Sequence, residues 1–226
     1  MGAIAAQAVT RSVEDYLKAI YRLSTAGQPA TTSAIAALLE LSPPSVTGMV
    51  KRLSEQGLLA HEPYRGVALT AAGRRLALRT VRRHRLVESY LVAYLGYSWD
   101  TVHDEAERLE HAISDELAER MAAALGNPGV DPHGDPIPTA DGDIAEVTGV
   151  PLSDVPEGVA VEVRRVDEHD AERLRYLASL GLVPGALVTV TGREPFGGPV
   201  MLRTPAGTHA LGPSLAGDIL CGRPAE

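Results

Sequence analysis

Two groups of side chains in this sequence could hold a divalent cation. His103, Glu107, Glu110 and His111 crowd one stretch, and on a continuous helix turning about 100° per residue they span about 100° of arc, a single face. His84 and Glu88 stand four residues apart, so on a preceding helix one lies above the other. Two such helices would offer imidazole nitrogen and carboxylate oxygen to a shared volume. The competing reading is a solvated face, because Asp104-Glu105, Glu107-Arg108 and Glu110-His111 also suit water. No His-Glu-x-x-His helix and no activated nucleophile accompany these residues, so no enzyme is expected, and a metal-storage protein or metal-dependent enzyme is the weaker alternative. The single cysteine, Cys221, excludes an internal disulfide and a multi-cysteine zinc site and fits a reducing compartment.

The elements that must position these groups are legible in the spacing. Val13, Tyr16, Leu17, Ile20 and Leu23 recur at three and four residues, predicting a helix from Ser12 to about Thr25 that Gly27-Gln28-Pro29 ends. A short helix follows over Ser33–Leu39. After the turn Glu40-Leu41-Ser42, Pro43-Pro44 open a third helix that runs to Gln56. This is a helix-turn-helix pattern, and the runs 58–62 and 66–69 around Pro63-Tyr64-Arg65-Gly66 have the size of a β-wing. Thr70 then caps a long helix to about Leu95, and a second long helix is predicted from about Asp100 to Leu125. Prolines and glycines from Gly126 to Gly158 read as a linker region, ordered in part at best. Alternating runs at 159–163, 187–190, 199–202 and 208–211, with one helix over Asp170–Leu180, predict a small β-barrel.

The net charge of −8 argues against a polyanionic partner until it is divided along the chain. Residues 1–85 carry 12 Lys and Arg against 5 Asp and Glu, whereas residues 86–226 carry 9 against 24, so a basic head precedes an acidic body. The basic head coincides with the helix-turn-helix. There Pro44, Ser45 and Thr47 are short enough to let a recognition helix approach base edges, and Lys51, Arg52 and Arg65 can meet phosphates. A ligand-free helical bundle would carry similar caps. Aromatic residues are 4% of the chain, too few for an array that stacks single strands. No window approaches 18 consecutive apolar residues, and Met1–Val9 lacks a basic n-region, so no membrane partner and a cytoplasmic location are expected.

Several ordered motifs together resemble one known family. Glu14-Asp15-Tyr16-Leu17-Lys18-Ala19-Ile20-Tyr21, Ser42-Pro43-Pro44-Ser45-Val46-Thr47, His84-Arg85-Leu86-Val87-Glu88, the run Val102–His111 and Asp131-Pro132-His133-Gly134-Asp135-Pro136-Ile137-Pro138 are similar to the diphtheria toxin repressor family of metal-dependent transcriptional regulators, and to its manganese transport regulator branch in particular. Ser179-Leu180-Gly181-Leu182-Val183-Pro184-Gly185 resembles that family's SH3-like domain. The resemblance implies a mainly α chain: a winged helix-turn-helix over 1–75, a helical dimerisation and metal-binding domain over 76–140, a linker over 141–158 and an SH3-like β-barrel over 159–226. It implies a homodimer on palindromic, double-stranded operator DNA, repressing metal-homeostasis genes, with two metal sites per subunit. Asp15, Glu107, Glu110 and His111 would form the primary site. His84, Glu88 and His103 would form the ancillary site, with Asp170 and Glu172 as the nearest acids of the C-terminal domain.

Two departures from the family pattern bear on the metal. Where the iron branch carries sulfur side chains, this chain has Asp15 and Glu107, so the set is hard oxygen and nitrogen, which suits Mn(II) and leaves Fe(II) as the alternative. Where compact manganese regulators carry a second carboxylate, this chain has Lys18, which argues against a closely spaced metal pair. A winged-helix regulator sensing an organic ligand is the remaining alternative, and metal content distinguishes it.

Overall fold

In a computed structural model, residues 10–167 and 170–224 are described, and the reading of Met1–Val9 lies outside them. Contacts divide the chain into two units that do not follow its linear order. One comprises residues up to Arg83 with Glu110–Ser114 and Pro138–Asp143, and the other comprises His84–Leu109, Asp115–Ile137 and the chain from Ile144 onward.

The first unit is built on α1 (Arg11–Thr25), α2 (Thr32–Leu39) and α3 (Pro43–Glu55), with β1 (Leu59–Glu62) paired antiparallel to β2 (Gly66–Leu69). Thr31 caps α2 by accepting from the Ala34 N–H, and Glu40 ends it in a left-handed conformation that turns the chain into α3. Leu17, Ile20, Ile35, Val46 and Leu53 are buried together, which fixes the opposite face of α3 toward solvent. The wing leaves its hairpin through Gly66, where φ is +86° and a Cβ would stand 2.3 Å from the Ala30 carbonyl oxygen. Helix α4 (Ala71–Leu95) begins in this unit and crosses into the other at His84.

The predicted second long helix is two. Helix α5 spans Val102–Leu109 and α6 spans Asp115–Ala124, separated by residues 110–114. A fresh start at Ser114, with Asp115 and Glu116 in the first turn of α6, stabilises a new N-terminus there. Glu110 and His111 therefore do not share a helix face with His103 and Glu107.

The stretch read as a linker is built into the second unit over residues 131–137. Asp131, His133, Asp135 and Ile137 are buried, and Val130 bridges Pro136. Gly134 has φ of +88° with the Arg164 carbonyl oxygen 2.0 Å from a would-be Cβ, and the His133 carbonyl accepts from the Val166 N–H. The same unit holds β3 (Val150–Pro151), β4 (Ala160–Val166), α7 (Ala171–Ser179), β5 (Leu187–Arg193), β6 (Val200–Thr204), β7 (Gly207–Leu211), α8 (Pro213–Gly217) and β8 (Ile219–Gly222). Its strands form one antiparallel sheet in the order β3-β8-β4-β5-β6-β7, over a core that includes Leu152, Val163, Leu174, Leu177, Leu182, Leu202 and Leu211. Among the described residues β3 and β7 remain edges, so the expected barrel is an SH3-like sheet that does not close. Cys221 is buried in it, and burial pushes the thiol up to about 12, which leaves it unreactive.

Candidate metal centres and nucleic-acid interface

Helix α1 buries Tyr16, Leu17 and Ile20, and this sets Glu14, Asp15 and Lys18 along its other side. The segment after α5 brings Glu110 and His111 to them. His111 Nδ1 lies 2.6 Å from Glu14 Oε2, and Arg83 pairs with the other oxygen of Glu14. With Nδ1–H donating to Glu14, the lone pair of the ring sits on Nε2, the tautomer a metal needs. That Nε2 lies 2.8 Å from Asp15 Oδ1 and 3.3 Å from Glu110 Oε1, yet it is buried and makes no hydrogen bond: in this tautomer it carries no proton, and carboxylate oxygens can only accept. Lys18 Nζ reaches the remaining oxygen of Glu110, Oε2, at 2.7 Å. Three carboxylates thus face two permanent cations, and one divalent ion among Asp15, Glu110 and His111 reverses the sign of the cluster. The donors are hard and converge within 4.8 Å of one another, which fits such an ion.

A second convergence lies in the other unit. His84 and Glu88 project from α4, and His103 projects from α5. His84 Nε2, His103 Nδ1 and Glu88 Oε1 stand 3.0–3.1 Å apart in a closed triangle. An ionised carboxylate oxygen brings no proton and each ring nitrogen at most one, so hydrogen bonds cannot satisfy all three edges. Cis donors on an octahedral ion with bonds of about 2.1 Å stand about 3 Å apart, the spacing seen. Burial pushes the Glu88 carboxyl up, but the His84 charge, hydrogen bonds from His103 and His84 and the His133 charge outweigh it and hold the group well below its ordinary range.

Of the residues expected to bind metal, Asp15, Glu110 and His111 meet in the first cluster, and His84, Glu88 and His103 meet in the second. Glu107 stays on α5 in the second unit, with Oε1 3.7 Å from His103 Nε2. Asp170 and Glu172 join neither cluster: Asp170 caps α7 by accepting from the Glu172 and Arg173 N–H groups, and Glu172 is exposed. Residues that the spacing did not reveal are Glu14, which orients His111, and the loop pair Asp131 and His133. His133 lies with Nε2 2.7 Å from the Trp99 carbonyl oxygen and Nδ1 3.9 Å from Glu88 Oε2, so Glu88, Asp131 and His133 form a further candidate set. Burial, then the charges of Asp135 and Glu88, push Asp131 well above its ordinary range against the opposing pull of Arg85 and the Asp135 N–H.

On α3, Pro44, Ser45, Thr47, Lys51 and Arg52 are all exposed while Val46 and Leu53 are buried, so the sequence-predicted contacts share one outward face. Ser45 hydrogen-bonds the Tyr16 phenol, and the Thr47 hydroxyl donates back to the Pro43 carbonyl at 3.0 Å. Arg65 is exposed in the wing beside Tyr64, which stands fully in solvent.

Comparison with known proteins agrees with this division of labour. A model of the iron-dependent repressor N-terminal DNA-binding domain matches residues 8–67, one of the metal-binding and dimerisation domain of the same repressors matches residues 70–139, and a FeoA domain matches residues 150–222. The iron-dependent repressor IdeR of Mycobacterium leprae is 38% identical over 191 residues, covering 79% of this chain and 83% of its own. The diphtheria toxin repressor of Corynebacterium efficiens is 34% identical over 193 residues, covering 81% and 84%. A solved manganese-dependent transcriptional repressor in complex with manganese is 39% identical, superposes with a TM-score of 0.84 and covers 93% of this chain and 99% of that one. With the helix-turn-helix, both ligand clusters and the C-terminal sheet in place, the chain belongs to the iron-dependent repressor family, that of the diphtheria toxin repressor, and is a metal-dependent repressor.

Proposed function

We propose that this chain is a manganese-responsive repressor that binds palindromic operator DNA as a homodimer in the cytoplasm and controls metal-homeostasis genes. The observation that carries the reading is the Asp15–Glu110–His111 cluster, whose donors are oxygen and nitrogen alone. Fe(II) is the second reading, favoured by the iron-dependent relatives. His84, Glu88 and His103 are proposed as a second site.

A divalent cation bound there supplies two positive charges and directed bonds to hard donors. Asp15 belongs to α1 of the DNA-binding head, while Glu110 and His111 begin the segment that continues from α5. Sharing one ion, these residues hold that segment on α1, and Glu14 keeps the imidazole turned toward it. In a dimer so fixed, two copies of α3 can enter successive major grooves. Each tenfold gain in operator affinity requires about 1.4 kcal/mol of coupling between the two binding events.

A gel-shift titration on DNA neighbouring the gene tests this, with Mn(II), Fe(II), Zn(II) or chelator present. Mn(II) is expected to strengthen binding, and Asp15→Ala to abolish that response while the protein stays folded and dimeric. Equal binding with Mn(II) and with chelator would overturn the reading.

A further inference from the structure

Lys18 follows Asp15 by one turn of α1 and points into the first cluster, with its side chain 18% exposed against 0% for Glu110. The ammonium and the imidazole divide the Glu110 carboxylate. Oε2 is held at 2.7 Å by Lys18 Nζ, and Oε1 faces His111 Nε2 at 3.3 Å. A cation seated among Asp15, Glu110 and His111 meets one oxygen of Glu110, because the other is occupied by a like charge. We propose that Lys18 is a specificity-determining residue that keeps Glu110 a one-oxygen donor and so weights the centre against larger cations that draw on both oxygens of a carboxylate. The inference rests on the first cluster being a metal site.

The chemistry follows from ion size. Ca(II) gathers six to eight oxygens at 2.3–2.6 Å and commonly takes a carboxylate through both, whereas smaller octahedral ions are satisfied by single oxygens and imidazole nitrogen. Removing the lysine charge would strengthen every dication through electrostatics alone. Freeing Oε2 adds a donor that benefits the larger ion more. The ratio of the two affinities, rather than either affinity, therefore reports what Lys18 does.

The test is calorimetric titration of the full-length chain with Mn(II) and with Ca(II), in a Glu88→Gln background that removes the carboxylate shared by the second cluster and the Glu88–Asp131–His133 set. Lys18→Met is expected to narrow the preference for Mn(II) over Ca(II) by about tenfold, and Lys18→Ala to do the same, so that a folding failure in one leaves the other to decide. Lys18→Arg, which can still hold Oε2, should retain the parent ratio. If Met and Ala shift both affinities by one common factor, the ratio is unmoved and the role assigned to Lys18 is wrong while the metal site stands. If the parent chain binds no Mn(II) at this cluster, the functional reading fails and this inference falls with it.

Discussion

His111 presents two nitrogens to different neighbours, Nδ1 to Glu14 and Nε2 to Asp15 and Glu110, and only the second pair was visible in the sequence. Asp15, Glu110 and His111 are ligand types at matching motif positions, whereas Glu14 is one more acid beside a ligand until the fold shows which way it points. Arg83 was equally hidden, whereas Lys18 stood out in the sequence as a departure at the metal site; their charges offset the repulsion that three gathered carboxylates would otherwise impose. Asp131 yields a pH prediction. Its raised pKa means the folded chain holds a proton that the unfolded chain has released, so stability falls as pH rises from the usual carboxylate value toward the raised one. In Asp131→Asn the amide oxygen can still accept from the His133 and Asp135 N–H groups, and no charge is buried. With chelator present, thermal melts should show the variant more stable at pH 8, on the order of 1 kcal/mol, with the gain vanishing near about pH 4. A gain that grew on acidification would contradict the assignment.

Among the elements, α1 to α4 and the wing were readable because caps and apolar spacing agree, as at Pro43-Pro44 and Gly66. The break between α5 and α6 was not, since Leu109, Ile113, Leu117 and Met121 continue at four-residue spacing straight across it. Ser114-Asp115-Glu116 was the signal that outweighed the period. Strand β8 escaped notice because its partner β4 lies far back in the chain, and pairing such as Val163 with Cys221 leaves no local mark. His133 sits in a proline-rich loop with no periodicity at all. At this scale α3 carries the DNA prediction. Lys51 is exposed and only loosely paired, 3.9 Å from Glu55, so it remains available to a phosphate. Lys51→Ala should weaken binding to specific and unrelated DNA alike and reduce the slope of log affinity against log salt by about 1. An unchanged slope in fluorescence anisotropy would remove Lys51 from the contacts.

Taken as a whole, the chain carries 12 of its 21 Lys and Arg in the first 85 residues, six of them on α4 from Arg74 to Arg85, and 24 of its 29 Asp and Glu beyond residue 85, so a net charge of −8 is no obstacle to DNA. In the second unit Tyr94, Leu95 and Tyr97 near the end of α4 and Leu117 on α6 are exposed apolar groups, and the Tyr94 hydroxyl donates to the Ala124 carbonyl at 2.5 Å, joining α4 to the end of α6. This surface suits the dimer contact of a dimerisation domain. Leu95→Glu with Leu117→Glu should sediment as a monomer at micromolar concentration and lose operator binding with Mn(II) present; a persistent dimer would move the interface elsewhere. The interleaving of the two units also bears on inheritance. Glu110 and His111 are encoded after the stretch 84–109 yet pack with residues from the first 83, so a single recombination crossover anywhere in 84–109 would graft a head onto ligands it did not evolve with. Metal preference and operator preference are therefore expected to descend together, and hybrids that exchange only the head should need the segment 110–114 exchanged with it.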